Sequence, residues 1–251
     1  MAGVEGRIAL VTGAGRGIGL ATARLLAARG AQVMCVARSE PELLATGLPY
    51  SVADLGTRDG CEKAVADAEE ALGPVEILVC NHGVGSAFDR VVWEQDPAAW
   101  ERTMRINLEG PFHLSQRVLK GMVERGYGRL VYTSSTAGLV AEPAGVAYNV
   151  SKHGLIGLMR SVAQDGGAYG VTANAVLPGW VRTEMAETSA REEARERGVS
   201  VDQVWQERAA LYPAGRVATP EEVAETIAFL ASEESSGVSG EAIRVALGSV
   251  W

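Results

Sequence analysis

This 251-residue chain has little of what would place it in several large protein classes. It has only three cysteines, Cys35, Cys61 and Cys80. Two of them lie in the apolar runs 33–36 and 77–80, where a thiol reads as a small buried hydrophobe and no disulfide framework is implied. No uninterrupted apolar run approaches the length of a membrane span. A core-like run at residues 8–11 leaves no room before it for a secretory signal, so the expected location is cytoplasmic, with no membrane partner. Lysine is almost missing, and the formal net charge is −8. A basic stripe able to attract nucleic acid or an anionic surface is therefore not expected. The three histidines, His82, His113 and His153, show no metal-ligand spacing with acids or cysteines. Proline is also sparse, nine against thirty glycines in a non-repetitive chain, which points to many tight turns.

What is present is apolar sequence in a regular rhythm. With 47% hydrophobic and 22% charged residues, the chain can build one sizeable core, and a single domain spanning residues 1–251 is expected. Short apolar runs at 8–11, 32–36, 49–52, 77–80, 129–133, 171–176 and 242–245 alternate with helical patterns near 17–29, 60–72, 98–124, 146–164 and 219–231. This is the signature of repeated βαβ units. The runs are continuously apolar rather than alternating, as strands covered on both faces should be. The fold class read from the pattern is α/β, a doubly wound sheet of about seven parallel strands with helices on both faces. Thr219, Pro220, Glu221 and Glu222 mark the last helix start by cap, first-turn proline and first-turn acids. Residues 183–214, rich in Glu, Arg and Ala, break the rhythm and read either as a helical lid over a substrate or as a solvated charged helix.

After the first strand comes Thr12-Gly13-Ala14-Gly15-Arg16-Gly17-Ile18-Gly19, followed by a helical stretch. A glycine turn between strand and helix lets backbone approach a pyrophosphate, and the helix N-terminus supplies unpaired N–H groups and a favourable dipole. The spacing is G-x-x-x-G-x-G, on Gly13, Gly17 and Gly19. In Rossmann-type folds an acid at the end of the second strand grips a ribose 2′-hydroxyl, whereas arginine accommodates a 2′-phosphate. That segment reads Ala37-Arg38-Ser39 and has no acid. Arg16 offers a second guanidinium from the turn, so NADP(H) is favoured over NAD(H).

Tyr148 and Lys152 lie four residues apart in a helical segment, on one face. A phenol ionises near pH 10, and a neighbouring ammonium is expected to lower that value. Ser135 follows the fifth strand, at the carboxyl edge where open α/β sheets bind ligands, and its hydroxyl can orient a substrate oxygen.

Together these residues resemble the short-chain dehydrogenase/reductase family over nearly the whole chain. Gly13, Gly15, Arg16, Gly17, Ile18 and Gly19 look like its cofactor turn; Tyr148 and Lys152 look like its catalytic pair; Ser135 falls at its serine. Asn107, in Ile106-Asn107-Leu108, is similar to the helix asparagine that holds a proton-relay water. Asp54 with Leu55 resembles the adenine-contacting segment, and Asn81 with Gly83 the turn that shapes the adenosine side. Pro178, Gly179, Val181 and Thr183 resemble the segment lining the nicotinamide. The resemblance implies hydride transfer between nicotinamide and a carbonyl carbon, with Tyr148 exchanging the proton, Ser135 orienting the oxygen, and Lys152 holding the ribose. It also implies a homo-dimer or homo-tetramer packed through helices near 98–124 and 146–164. Two positions depart from the pattern. His82 stands where the family has alanine and reads as a satisfied, partly buried histidine. Val245-Ala246-Leu247-Gly248 replaces the usual tail motif, which bears on how the tail packs between subunits.

Two branches look closest. The 3-oxoacyl-thioester and polyketide ketoreductases are suggested by residues 35–38, 151–154 and 212–216. The 3-hydroxybutyrate dehydrogenases are suggested by residues 178–183. Aligned by eye, the positions that would grip a small carboxylate in the second branch fall on Gly85, Gly138 and Gly145, so the first is preferred, and the three glycines suggest room for a bulky ketone. The expected partner is a small-molecule ketone or alcohol, or a thioester on an acyl carrier. For carrier docking, Arg129 matches one basic position and Tyr169 occupies the other. Val140, Trp180, Met185 and Trp205 are candidate substrate-wall residues, with packing inside the lid an equal reading for Trp205. A non-catalytic NADP(H)-binding sensor is the competing class.

Overall fold

The apolar runs become strands because each presents one side chain to either face of a sheet covered on both sides. In the computed structural model, which describes residues 3–86 and 90–249, the strands are β1 (Ile8–Thr12), β2 (Gln32–Ala37), β3 (Tyr50–Val52), β4 (Ile77–Cys80), β5 (Gly128–Thr133), β6 (Val171–Pro178) and β7 (Ala242–Val245). They form one parallel sheet in the order β3-β2-β1-β4-β5-β6-β7. The helices are α1 (Gly17–Ala28), α2 (Glu40–Leu44), α3 (Arg58–Ala71), α4 (Pro97–Met104), α5 (Gly110–Arg125), α6 (Val146–Gly166), α7 (Glu184–Arg197), α8 (Val201–Ala210) and α9 (Pro220–Leu230). On one face Leu10, Met34, Leu78, Leu130 and Tyr132 pack against α3, α5 and α6. On the other, Val11, Val33, Cys35, Val79 and Val131 pack against α1 and α9. The alternation within each strand explains why the sequence is apolar throughout.

The order reverses between β1 and β4, so the connections leaving these neighbours run to opposite faces and open a crevice at their carboxyl ends. The glycine turn after β1 and the segment after β4 meet there. Thr219 caps α9 reciprocally with Glu222, in keeping with its sequence marks.

The 98–124 stretch is not one helix. A π-helical turn, Arg105–Glu109, separates α4 from α5. Pro111 has no N–H to give the Asn107 carbonyl four residues back, so α-helical pairing fails at this point. Residues 183–214, by contrast, form the helical hairpin α7–α8, with Gly198 left-handed at the α7 end. Among the described residues no helix is long and apolar enough to cross a membrane, and no metal-ligand cluster occurs.

Arg129 does not offer a docking charge. It is buried, and its guanidinium donates to the carbonyls of Ser232, Gly128 and Gly170 and stacks on the Tyr127 ring. Tyr169 is exposed in the short turn before β6. Replacing Arg129 leaves buried carbonyls without a donor, so Arg129→Met is expected to lower unfolding free energy by about 3 kcal/mol in a urea titration. Its effect on turnover should be the same for carrier-bound and free ketones, which parallel kinetics would check.

Candidate active site

The glycine turn is shaped as an anion cradle. Gly13 and Gly17 have positive φ, 63° and 54°, and a β-carbon at Gly19 would lie 2.1 Å from the Gly13 carbonyl oxygen. Only glycine permits that approach. At the start of α1, Arg16 gives no side-chain cap and the first turn has no acid, so the leading N–H groups, including that of Ile18, are open to a phosphate. The residues therefore fit a dinucleotide. Thr12 fixes the turn against β4: its hydroxyl donates to the Val79 carbonyl (3.0 Å) and accepts from the N–H groups of Asn81 (2.9 Å) and His82 (3.2 Å). The Asn81 amide donates to the Thr12 and Gly13 carbonyls, so its side chain shapes the turn.

Around this cradle the expected cofactor residues are distributed unevenly. Asp54 is exposed, with one carboxylate oxygen accepting from Gly56 N–H, whereas the Leu55 side chain is in the core and leaves only backbone for an adenine. Arg38 is exposed, with no ion-pair partner among the described residues. Arg16 is not free: it lies 3.0 Å from Glu184 and 3.8 Å from Glu42. From Pro178, the last residue of β6, the chain runs through Gly179 to Val181, which is buried and bridged to Ala218, and to Thr183, the α7 cap, whose methyl group lies against Gly17.

The ends of β5 and α6 bring Ser135, Tyr148 and Lys152 together. Ser135 hydrogen-bonds Tyr148, and the Lys152 ammonium donates to the Thr133 carbonyl (2.9 Å) and lies 5.6 Å from the Tyr148 ring centre. Burial strips water from the ammonium and lowers its pKa to about 8. The expected depression of Tyr148 does not follow. Burial raises the phenol above its ordinary value; the Ser135 hydroxyl opposes this, and the Glu142 charge adds to it. Desolvation of phenolate dominates, so the group is a phenol at neutral pH.

The Asn107 side chain is fully engaged within the protein. Its side-chain oxygen accepts from Val84 N–H (2.8 Å), and its amide donates to the Val84 carbonyl (3.0 Å) and to Ser151 Oγ (3.1 Å). Ser151 in turn donates to the Tyr148 carbonyl (2.8 Å). The side chain thus ties the β4 loop to the start of α6, while the π-turn leaves its carbonyl without an α-helical donor. Gly83 sits between the parts, since a β-carbon there would lie 3.2 Å from Asn107 Oδ1 and 3.6 Å from Lys152 Nζ. His82 has its Nδ1 2.8 Å from Thr12 Oγ1 and faces the Ile106 backbone. Burial and the Lys152 charge push it down to about 3, so it is neutral and structural.

On the substrate side the expectations divide. Met185 is half-exposed and lies 3.5 Å from where a Gly85 side chain would begin, and Val140 is partly buried near the end of the Ser135 turn. Trp205, in contrast, is buried in the α7–α8 hairpin with Ala186, Ala190 and Val204. Its indole donates to Glu187 (2.9 Å) and its ring stacks with Arg182. Trp180 faces the same small core, with Arg208 3.7 Å above its ring. A side chain at Gly138 would meet Ser134 Oγ (2.7 Å) and the Lys152 carbonyl (2.9 Å), and one at Gly145 would meet Asn149. Of the three, Gly85 alone has ordinary contact distance, 3.5 Å to Met185, among the described residues. Sequence reasoning had Thr12 and Ser151 inside its motifs without the hydrogen bonds they make, and it missed Glu42 and Glu184.

A family model described as enoyl-(acyl carrier protein) reductase matches residues 13–249. The chain is 36% identical to the 3-oxoacyl-acyl-carrier-protein reductase FabG of Vibrio cholerae, over 96% of this chain and 96% of the relative. It is 33% identical to the D-beta-hydroxybutyrate dehydrogenase of Cupriavidus necator, over 94% and 95%. A variant of actinorhodin polyketide ketoreductase, solved with NADPH, superposes with a TM-score of 0.91 at 35% identity, over 96% of each chain.

Holding Lys152 charged in a buried site opposes folding, because the unfolded chain binds its proton more tightly. The fall from 10.5 to about 8 corresponds to about 3 kcal/mol at neutral pH, offset by about 1 kcal/mol from the Thr133 hydrogen bond. Lys152→Met is therefore expected to raise unfolding free energy by about 2 kcal/mol near pH 7. The gain should shrink as pH rises from about 8 towards 10.5, where the unfolded-state lysine also loses its proton; denaturant titrations at several pH values would measure it.

Proposed function

The chain belongs to the short-chain dehydrogenase/reductase family of NAD(P)-dependent oxidoreductases, and from that premise we propose that it is an NADP(H)-dependent ketoreductase acting on a 3-oxoacyl or polyketide-type ketone. One observation carries the reading: Tyr148, hydrogen-bonded to Ser135 and backed by the buried Lys152, stands with an open phosphate cradle in the same sheet-end crevice. The bound nicotinamide would supply or take up the hydride. Ser135 and Tyr148 would both donate to the ketone oxygen, polarising the carbonyl, and Tyr148 would pass its proton to that oxygen as the alcohol forms. A phenol raised above its ordinary value is suited to donation, which favours reduction at neutral pH. Lys152 would hold the nicotinamide ribose and keep a positive charge beside the phenolate left behind. The Asn107 carbonyl at the π-turn is the group that would bind a relay water, since both polar atoms of its side chain are already engaged.

Arg38 and Arg16 support NADP(H). The α7–α8 hairpin would act as the lid, with Met185 towards the substrate and Trp180 packed in the hairpin's own core. A 3-hydroxybutyrate-type reading has a relative in its favour. It is opposed by the Glu142 charge near Tyr148 and by Gly85, which offers a small carboxylate no partner. A sensor without turnover would have no need of the strained lysine. The family's usual dimer or tetramer, with soluble cytoplasmic residence, completes the proposal.

Tyr148→Phe should lower ketone reduction about a thousandfold while changing NADPH affinity less than twofold. Retention of full rate would remove Tyr148 from the chemistry. In the unaltered enzyme, kcat/KM for reduction should be level below about 8 and fall above it as Lys152 loses its proton. Oxidation of the alcohol, which needs phenolate, should instead rise with pH.

A further inference from the structure

Arg38 follows β2 directly and Arg16 stands in the glycine turn before α1, but they are not equivalent. Arg38 has no carboxylate within ion-pair distance among the described residues, whereas Arg16 lies between two, Glu184 at 3.0 Å and Glu42 at 3.8 Å. Glu42 is brought in by α2, which starts two residues after Arg38. It lies directly on the glycine turn: a β-carbon at Gly15 would be 2.9 Å from both Glu42 Cβ and Oε2. Glu184 is the first residue of α7, immediately after the Thr183 cap. Glu40, the first residue of α2, accepts from the Tyr50 hydroxyl. The Arg16 charge therefore already faces two carboxylates, before a 2′-phosphate brings about −1.5 to −2 more at neutral pH.

We infer that Glu42 and Glu184 compete with the 2′-phosphate of NADP(H) for Arg16, and so set the margin by which this chain prefers NADP(H) to NAD(H). The inference rests on the NADP(H) reading above. The Arg16 guanidinium cannot keep its geometry with Glu184 while presenting the same N–H groups to a phosphate, and Glu42 stays beside the site as a fixed negative charge. Both ion pairs are solvent-exposed, with the Arg16 side chain 52% accessible. Each is therefore expected to alter affinity by about threefold to fivefold. The effect should diminish as salt screens it.

The test is direct binding at low ionic strength to the wild type, Glu42→Gln, Glu184→Gln and the double variant. NADPH and NADH are followed by their own fluorescence, and 2′,5′-ADP and 5′-ADP by displacement. Each single substitution should tighten NADPH and 2′,5′-ADP about threefold to fivefold and the double about tenfold, with NADH and 5′-ADP moving less than twofold. Equal tightening of phosphorylated and unphosphorylated ligands, or no change in either, would overturn the competition while leaving the NADP(H) reading in place. Tighter NADH than NADPH in the unaltered chain would overturn that reading itself.

Discussion

Lys152 carries an ammonium to the end of β5, where the Thr133 carbonyl is its fixed partner and water is excluded. A charge in that position is unfavourable to the fold, and the rest of the site consists of what holds it there. The helix that delivers it, α6, is anchored by Ser134, which donates to the Lys152 carbonyl, and by Ser151, which links Asn107 to the Tyr148 carbonyl. Glycine at 138 and 83 allows strand, helix and π-turn to close on the lysine without a side chain intervening. The same burial that lowers the lysine raises the tyrosine beside it, so one environment keeps the acid protonated and brings the ammonium close to its titration point.

A second set of contacts makes the cofactor cradle and the catalytic cluster one object. Thr12, at the end of β1, accepts from the backbone that follows β4. Two residues further on, Val84 is clamped in both directions by Asn107. Movement of the glycine turn would therefore be felt at the π-turn and, through Ser151, at Tyr148. The site is a set of strand ends joined by short hydrogen bonds, which suits chemistry that needs a nicotinamide and a ketone held in register.

Much of this was legible in the sequence because it depends on local pattern. Strands covered on both faces are apolar at every position, helix α9 carries its cap in four residues, and Tyr148 with Lys152 needs only helical spacing. What escaped depends on where distant segments land. Arg129 looks like a surface charge until β5 is seen to bury it against Ser232 and Gly170, and for Trp205 only the closing of α7 and α8 decides between its two readings, in favour of packing inside the hairpin. Gly138 and Gly145 look like vacant pocket positions, yet their missing side chains would point at protein. The π-turn could have been anticipated from Pro111 four residues after Asn107. The acids around Arg16 could not, because Glu42 and Glu184 reach it from separate parts of the chain.

Since the sequence contains only three lysines, Lys63, Lys120 and Lys152, the buried ammonium can be observed directly. Carbon-13 labelling of the lysine side chains and a pH titration by nuclear magnetic resonance should show one resonance titrating near 8 that is absent from Lys152→Met. If no lysine resonance titrates below about 10, the Lys152 ammonium is solvated and is not the strained charge around which the site is built.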